Sequence, residues 1–253
     1  MEKGRRKQLI IPVFTFIGLI GVWEMLIRLM EVPSYIIPAP SKIVLAMVSE
    51  REVLLLHGIV TMKETLMGIF VALVLSVVLA VIMDRFKLLY SAAYPILVVS
   101  QTVPVIVLAP IFIVCFGFGI LPKILIVVLM CFFPIVISFA DGMRQVDVNQ
   151  VNLVKLLGAG SLKQYFYVKI PAALPSLFSG LKVAATYSIS GAVVGEWLAS
   201  DSGLGYYMLR AKNAFMMDKV FASVVVVVLL SLCMNGVVKL FQRILMPQIR
   251  HVK

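Results

Sequence analysis

At least five stretches of this chain run for about 20 residues with hardly a charge, long enough to cross a hydrocarbon core about 30 Å thick as α-helices. The runs are continuously apolar rather than alternating, which indicates helices and not a barrel. Spanning helices are predicted at about 9–29, 61–83, 91–116, 121–140, 175–195 and 220–241. The third and fourth divide at Gly117-Phe118-Gly119, followed by Leu121-Pro122, because glycine and proline punctuate helices. With 62% hydrophobic and 14% charged residues, a soluble fold of 253 residues could not hide the apolar surface. The expected fold is all-α: a polytopic membrane protein of six transmembrane helices. One membrane domain, 9–245, is flanked by residues 1–8 and a tail at 246–253.

Lys3, Arg5, Arg6 and Lys7 precede an apolar run, as at the start of a signal peptide. The run continues from Leu9 to about Met30 with no small-residue cleavage site after it, so a retained helix is expected. Glu24 and Arg28, four residues apart, can pair on one face of it. The net charge of +11 reads as lysine and arginine kept on one side of a membrane, not as a nucleic-acid surface. Arg85, Lys87, Arg144, Lys155, Lys163, Lys169, Arg243, Arg250 and Lys253 share one side with the basic amino terminus. The other side balances Lys42, Arg51, Arg210, Lys212 and Lys219 against Glu31, Glu50, Glu52, Asp201 and Asp218. Both termini and the loop at about 142–171 are therefore expected in the cytoplasm. Cys115, Cys131 and Cys233 read as packed thiols, and neither His57 nor His251 has a partner at metal-binding spacing. No catalytic or metal constellation is predicted.

The 142–171 loop is unusually rich in pattern. Leu153, Leu156 and Leu157 recur at helical spacing around Lys155, which predicts a short amphipathic helix ended by Gly158. A second amphipathic segment sets Leu162, Tyr165 and Phe166 against Lys163, Gln164 and Lys169. Pro171 and Pro175 then bracket the entry to the fifth span. From periodicity alone, such a helix either lies on lipid headgroups or inserts apolar knobs into a groove on a partner.

Asn152-Leu153-Val154-Lys155-Leu156-Leu157-Gly158-Ala159, followed by Ile170-Pro171-Ala172-Ala173-Leu174-Pro175, resembles the signature loop of permease subunits of bacterial ABC importers. In that family a Glu-Ala-Ala triplet lies six residues before a glycine, and a Leu-Pro or Ile-Pro pair closes the loop. Here Gly158 and Ile170-Pro171 keep the register, while Asn152-Leu153-Val154 replaces the triplet and removes its acid. Pro38-Ala39-Pro40-Ser41, His57 with Thr61 and Thr65, and Ser100-Gln101-Thr102-Val103-Pro104 resemble the nitrate, sulfonate, taurine and hydroxymethylpyrimidine branch. So do Val194-Gly195-Glu196-Trp197-Leu198 and Gly203-Leu204-Gly205-Tyr206. The resemblance implies a bacterial inner-membrane importer subunit that pairs with a second permease copy. It implies coupling through Asn152, Leu153, Leu156, Leu157, Gly158, Ala159, Ile170 and Pro171 to two cytoplasmic ABC ATPase subunits, which bind ATP and Mg. An extracytoplasmic binding protein would deliver the solute. The permease would carry no cofactor of its own, and no P-loop occurs in the sequence, so it is not expected to hydrolyse ATP.

Polar residues inside the spans are candidates for the solute's path. Gln101, Thr102 and Pro104 interrupt the third span, and either pack across helices or line a passage. Thr186 and Ser190, with Ser188 and Gly191, fit close helix packing as well as a path. Glu196, beside Trp197, is either a functional carboxylate or an interfacial one with an aromatic anchor. Lys182 is expected to snorkel. A self-sufficient secondary transporter would favour internal repeats and more intramembrane charges, and neither is seen. The Val194–Leu198 and Gly203–Tyr206 segments look most like pyrimidine-precursor permeases. With few cationic groups at depth, a heterocycle such as a thiamine precursor is expected over a sulfonate, taurine or nitrate.

Overall fold

The computed structural model describes residues 2–246, and every regular element among them is helical. Helix α1 (Glu2–Leu29) leads to a short α2 (Pro40–Ser49) and the 35-residue α3 (Arg51–Arg85). Then come α4 (Lys87–Ser100), α5 (Val105–Phe116) and α6 (Ile120–Arg144). A helical connection of α7 (Val148–Leu156), α8 (Ser161–Gln164) and a π-turn (Tyr165–Lys169) runs into α9 (Ile170–Ala199). The chain closes with α10 (Leu204–Asn213) and α11 (Met217–Leu245). Residues 247–253, with Arg250, His251 and Lys253 of the expected tail, lie outside the described residues, as do the side chains of Lys3, Arg5, Arg6 and Lys7.

Among the described residues, four helices are long and apolar enough to cross a membrane, or five if α4 and α5 count as one bent span. The remaining element of the expected six is α1, a helix of 28 residues. Its Glu24–Arg28 pair closes at 2.6 Å, and Glu24 also accepts from the Ser41 backbone N–H at 2.9 Å, tying α1 to the first turn of α2.

The expected span over 91–116 is two helices rather than one: α4 and α5 meet at a bend of 101°, at the Gln101–Pro104 interruption. The cause is local. Thr102 Oγ1 donates to the Val99 carbonyl at 2.7 Å, and Pro104, in extended conformation at the start of α5, has no N–H to continue the ladder. The fifth span likewise starts well before Pro175, because the helical run is continuous from Ser161 to Leu198. Pro171 offers no N–H to the Tyr167 carbonyl, and the chain enters it through the widened turn, where Ile170 N–H reaches back to Tyr165. The second span starts at Arg51 rather than 61. The polar residues Arg51, Glu52 and His57, which made the sequence look like a loop there, are helical; Arg51 and Glu52 are exposed and His57 is half-buried. Of the three cysteines only Cys131 is packed; Cys115 and Cys233 are exposed on helix faces.

The core is α6 laid against α9, with α3 packed on α6 and also touching α9. Val127, Cys131, Ile135 and Phe139 of α6 are fully buried, as are Ala173, Ala184, Ala185 and Ala192 of α9. Lipid gives helices no hydrophobic drive to associate, so contact depends on close packing at small residues. A Cβ on Gly180 would sit 2.5 Å from the Pro134 carbonyl oxygen and 2.8 Å from Ser138 Cβ; one on Gly142 would sit 2.4 Å from Ser176 Cβ. Gly180→Ala is therefore expected to destabilise the folded permease by about 1–3 kcal/mol, the usual cost of overpacking. Thermal unfolding in detergent measures this, and an unchanged midpoint would show that the two helices can separate freely.

Candidate functional site

Three sets of residues stand out, two at opposite ends of the bundle and one between them. At the first end, α7 begins on Asp147, whose side chain accepts from Asn149 N–H at 2.8 Å. It ends on Gly158 at φ +82, a left-handed position suited to glycine. Gly158 N–H bonds Lys155 O at 3.0 Å and Ala159 N–H bonds Val154 O at 3.1 Å, closing the helix at a fixed angle. No residue of this firmly capped helix is buried. Leu153, Leu156 and Leu157 are exposed, the last two at 85% and 79%, and Asn152 is exposed beside them. Leu162 and Phe166 are exposed on the following turns. Ile170 and Pro171 open α9, where they hold the connection to the bundle.

The same end is pinned to α3. Asp84 Oδ2 accepts from Tyr165 Oη and from Lys169 Nζ, both at 2.6 Å, so the π-turn is locked to the end of α3. Tyr94 Oη donates to Asp141 at 3.2 Å, joining α4 to α6.

At the opposite end, about 40 Å along α9 from Lys169 at 1.5 Å per residue, lies a buried polar cluster. Glu196, Glu64, Thr61 and Thr65 are at most 1% exposed, and Lys123 is 5% exposed. Thr61 Oγ1 donates to Glu196 Oε1 at 2.7 Å and accepts from Leu204 N–H at 2.9 Å. Gly205 N–H donates to Glu196 Oε2 at 2.6 Å, and Gly203 N–H donates to His57 Nδ1 at 3.0 Å. The first N–H groups of α10, which have no partner within a helix, are thus satisfied by side chains of α3 and α9. Lys123 Nζ pairs with Glu64 and donates to Ser200 Oγ at 3.0 Å. Glu64 Oε2 meets no hydrogen-bond donor among the described residues. A Cβ on Gly203 would fall 2.2 Å from the Glu196 carboxyl carbon, and one on Gly205 would fall 2.5 Å from Val193 O. The Gly203-Leu204-Gly205 segment is what lets the chain lie on that carboxyl.

Beyond α10, Lys219 Nζ bonds Glu50 Oε1 at 2.5 Å and Tyr207 Oη donates to Glu50 Oε2 at 3.3 Å. The Lys219 hydrogen bond holds the Glu50 carboxyl below the usual carboxylate range. Burial, with the Glu50 charge, pushes the Tyr207 hydroxyl up to about 12. A cavity of about 780 Å³ opens beside the cluster, with Glu64, Lys123, Asp201, Trp197 and Tyr206 on its walls.

The third set lies at mid-bundle. The bend leaves Gln101, Thr102 and Pro104 exposed, and Gln101 shares a cavity of about 390 Å³ with Val183 and Tyr187 of α9. Thr186 and Ser190 are exposed on the same helix, and Thr186 Oγ1 accepts from Asn235 Nδ2 of α11 at 3.2 Å.

The six candidate pathway residues therefore divide. Gln101 is brought to α9 at Val183 and Tyr187, on the helix that also carries Thr186 and Ser190. Glu196 is away from them, engaged by Thr61 and Gly205 rather than lying free at an interface. Sequence reasoning missed Glu64, Lys123, Asp84 and Lys169. The available signal was an acid and a lysine inside two apolar spans, since ionised groups there require a partner.

Residues 66–251 match the family described as binding-protein-dependent transport system inner membrane component. The chain is 34% identical over 244 residues to the formylaminopyrimidine transport permease protein ThiX of Halalkalibacterium halodurans, covering 96% of this chain and 97% of that one. It is 33% identical to a probable ABC transporter permease protein of Haemophilus influenzae, over 90% of this chain and 93% of that one. In fold it resembles the crystal structure of an amino acid ABC transporter with histidines. The TM-score is 0.63 at 17% identity, and the match covers 79% of this chain and 97% of that chain.

Proposed function

The chain belongs to the binding-protein-dependent transport system inner membrane component family, as the membrane-spanning permease of an ABC importer, and from that premise we propose how it works. Helix α7 docks in a groove of a cytoplasmic ABC ATPase, which binds ATP and Mg and drives the permease. The observation that carries this reading is a capped helix whose Leu156 and Leu157 stand exposed among the described residues. Asn152, Leu153, Gly158 and Ala159 shape that surface. Ile170 and Pro171 join it to α9, which leads without a break to the cluster at the far end.

A second copy of the permease faces the α4–α5 bend and the exposed side of α9. Gln101, Thr102, Thr186 and Ser190 are polar side chains exposed along spanning segments, where a polar passage suits them better than lipid. Facing one another across a two-fold, they would line a passage. An extracytoplasmic binding protein delivers the solute at the end that carries Glu196. The six-helix arrangement, with both termini in the cytoplasm, follows the lysine and arginine bias. A cysteine replacing Gly160 is expected to resist impermeant thiol reagents added outside whole cells, and one replacing Ser202 to react. Labelling of position 160 from outside would reverse the orientation.

The solute is a small heterocycle, a pyrimidine precursor of thiamine being the first choice. The relative that transports formylaminopyrimidine matches over nearly the whole chain. The cavity near Glu196 carries Glu64 and Asp201 against Lys123, an excess of acid that repels a sulfonate or nitrate. Uptake in cells lacking their own pyrimidine-precursor and alkanesulfonate importers, supplied with this permease and its partners, is the test. Restored growth on an alkanesulfonate as sole sulfur source, without restored precursor uptake, would reject the heterocycle and keep the importer.

A further inference from the structure

A cavity of about 530 Å³ lies between the end of α3, the start of α4, the end of α6 and α7, and nothing in the coupling reading uses it. Its charges are Lys87, Arg144, Lys169 and Asp84. Asp84 is already held by Lys169 and Tyr165. Lys87 and Arg144 have no carboxylate oxygen within 4.0 Å among the described residues, so the cavity is left with two uncompensated cations. The Arg144 guanidinium is fixed in place, lying 4.1 Å over the Tyr90 ring, which itself stacks on Tyr94 at 4.8 Å. An arginine held over an aromatic face by its charge can still offer N–H groups to an oxyanion. Ser91 adds a hydroxyl to the same wall.

We propose that this cavity binds a phosphate anion, and that its source is the phosphodiester of an anionic phospholipid. Three features favour lipid over a soluble anion. The floor is apolar, with Met83 and Met143 buried beneath the charges. Phe86 and Leu88, on either side of Lys87, are exposed at 59% and 85%, so the basic rim stands among side chains that suit acyl chains. The cavity also lies at the ends of three apolar helices, where headgroups sit. Val148 and Val151 of α7 form one wall, so a bound headgroup would bridge the bundle to the docking helix. Anionic lipid would then stiffen the connection through which coupling passes.

The test uses the purified full-length permease in nanodiscs of phosphatidylcholine containing phosphatidylglycerol, with lipid retention read by native mass spectrometry. Wild type is expected to retain phosphatidylglycerol selectively. The Lys87→Gln/Arg144→Gln variant should lose about tenfold or more of that preference, the effect of removing one charge-assisted hydrogen bond or more. Its melting in pure phosphatidylcholine should equal that of wild type, which separates lost binding from lost folding. Lys239→Gln, exposed on α11, should change nothing. An equal loss in the Lys239 variant would overturn the site and leave only diffuse attraction of lipid to basic residues. Displacement of the lipid by millimolar inorganic phosphate would overturn the lipid source. Unchanged lipid retention with lost co-purification of the ATPase would overturn it too, and give the cavity to the protein partner.

Discussion

Replacing Leu157 by aspartate is expected to abolish ATP-driven uptake while the permease still inserts, folds and melts as wild type. Leu157 is 79% exposed, so the substitution costs the fold little. In a docked complex it is an anchor, and truncating a buried anchor costs about 2 kcal/mol or more. That is roughly a thirtyfold weaker ATPase contact, and a buried carboxylate adds to it. Leu156→Asp should act in the same way, being 85% exposed one residue earlier. The measurements are ATPase co-purification, ATPase stimulation and uptake in proteoliposomes. Wild-type values in both variants would reject docking through α7. Collapse of the melting transition would instead show that these leucines serve the fold.

Removing Lys123 is expected to have the largest effect on stability. Lys123→Met leaves Glu64 and Glu196 buried with no cation at Glu64, while Ser200 Oγ loses the Lys123 bond and keeps those to Ser202. Breaking a buried ion pair from one side costs about 3–5 kcal/mol, which should remove most of the folded protein from the membrane. The double variant Lys123→Met/Glu64→Met replaces the pair by apolar side chains and should recover most of the loss, because desolvated pairs gain little over good packing. Expression yield and thermal melting in detergent follow both. A Lys123→Met protein that melts with wild type would mean that water reaches the cluster. Failure of the double variant to recover would assign Glu64 a second role.

The exposed leucine face of α7 was legible in one dimension. Leu153, Leu156, Leu157 and Gly158 lie within six residues, and a short amphipathic helix ended by glycine is a local property. The cluster was not legible in the same way. Glu64, Lys123 and Glu196 are spread over more than 130 positions, and their pairing depends on where α3, α6 and α9 meet. Ser200 and the Gly203–Gly205 turn enter only because α10 folds back onto that junction.

The sequence by itself determined that this is a helical membrane protein, roughly where its apolar helices lie and where its connecting helix is exposed. Those properties follow from the length of apolar runs, from charge and from local periodicity. Only the tertiary structure decided that the third span bends by 101°, that α9 begins inside the connecting loop, and that Glu196 is held by Thr61 and Gly205. The bend depends on a competition between Thr102, Pro104 and the surrounding contacts, which hydropathy averages away. A carboxylate's partners are fixed by helix packing at small residues such as Gly142 and Gly180. Such packing leaves no periodic trace stronger than that of any apolar helix.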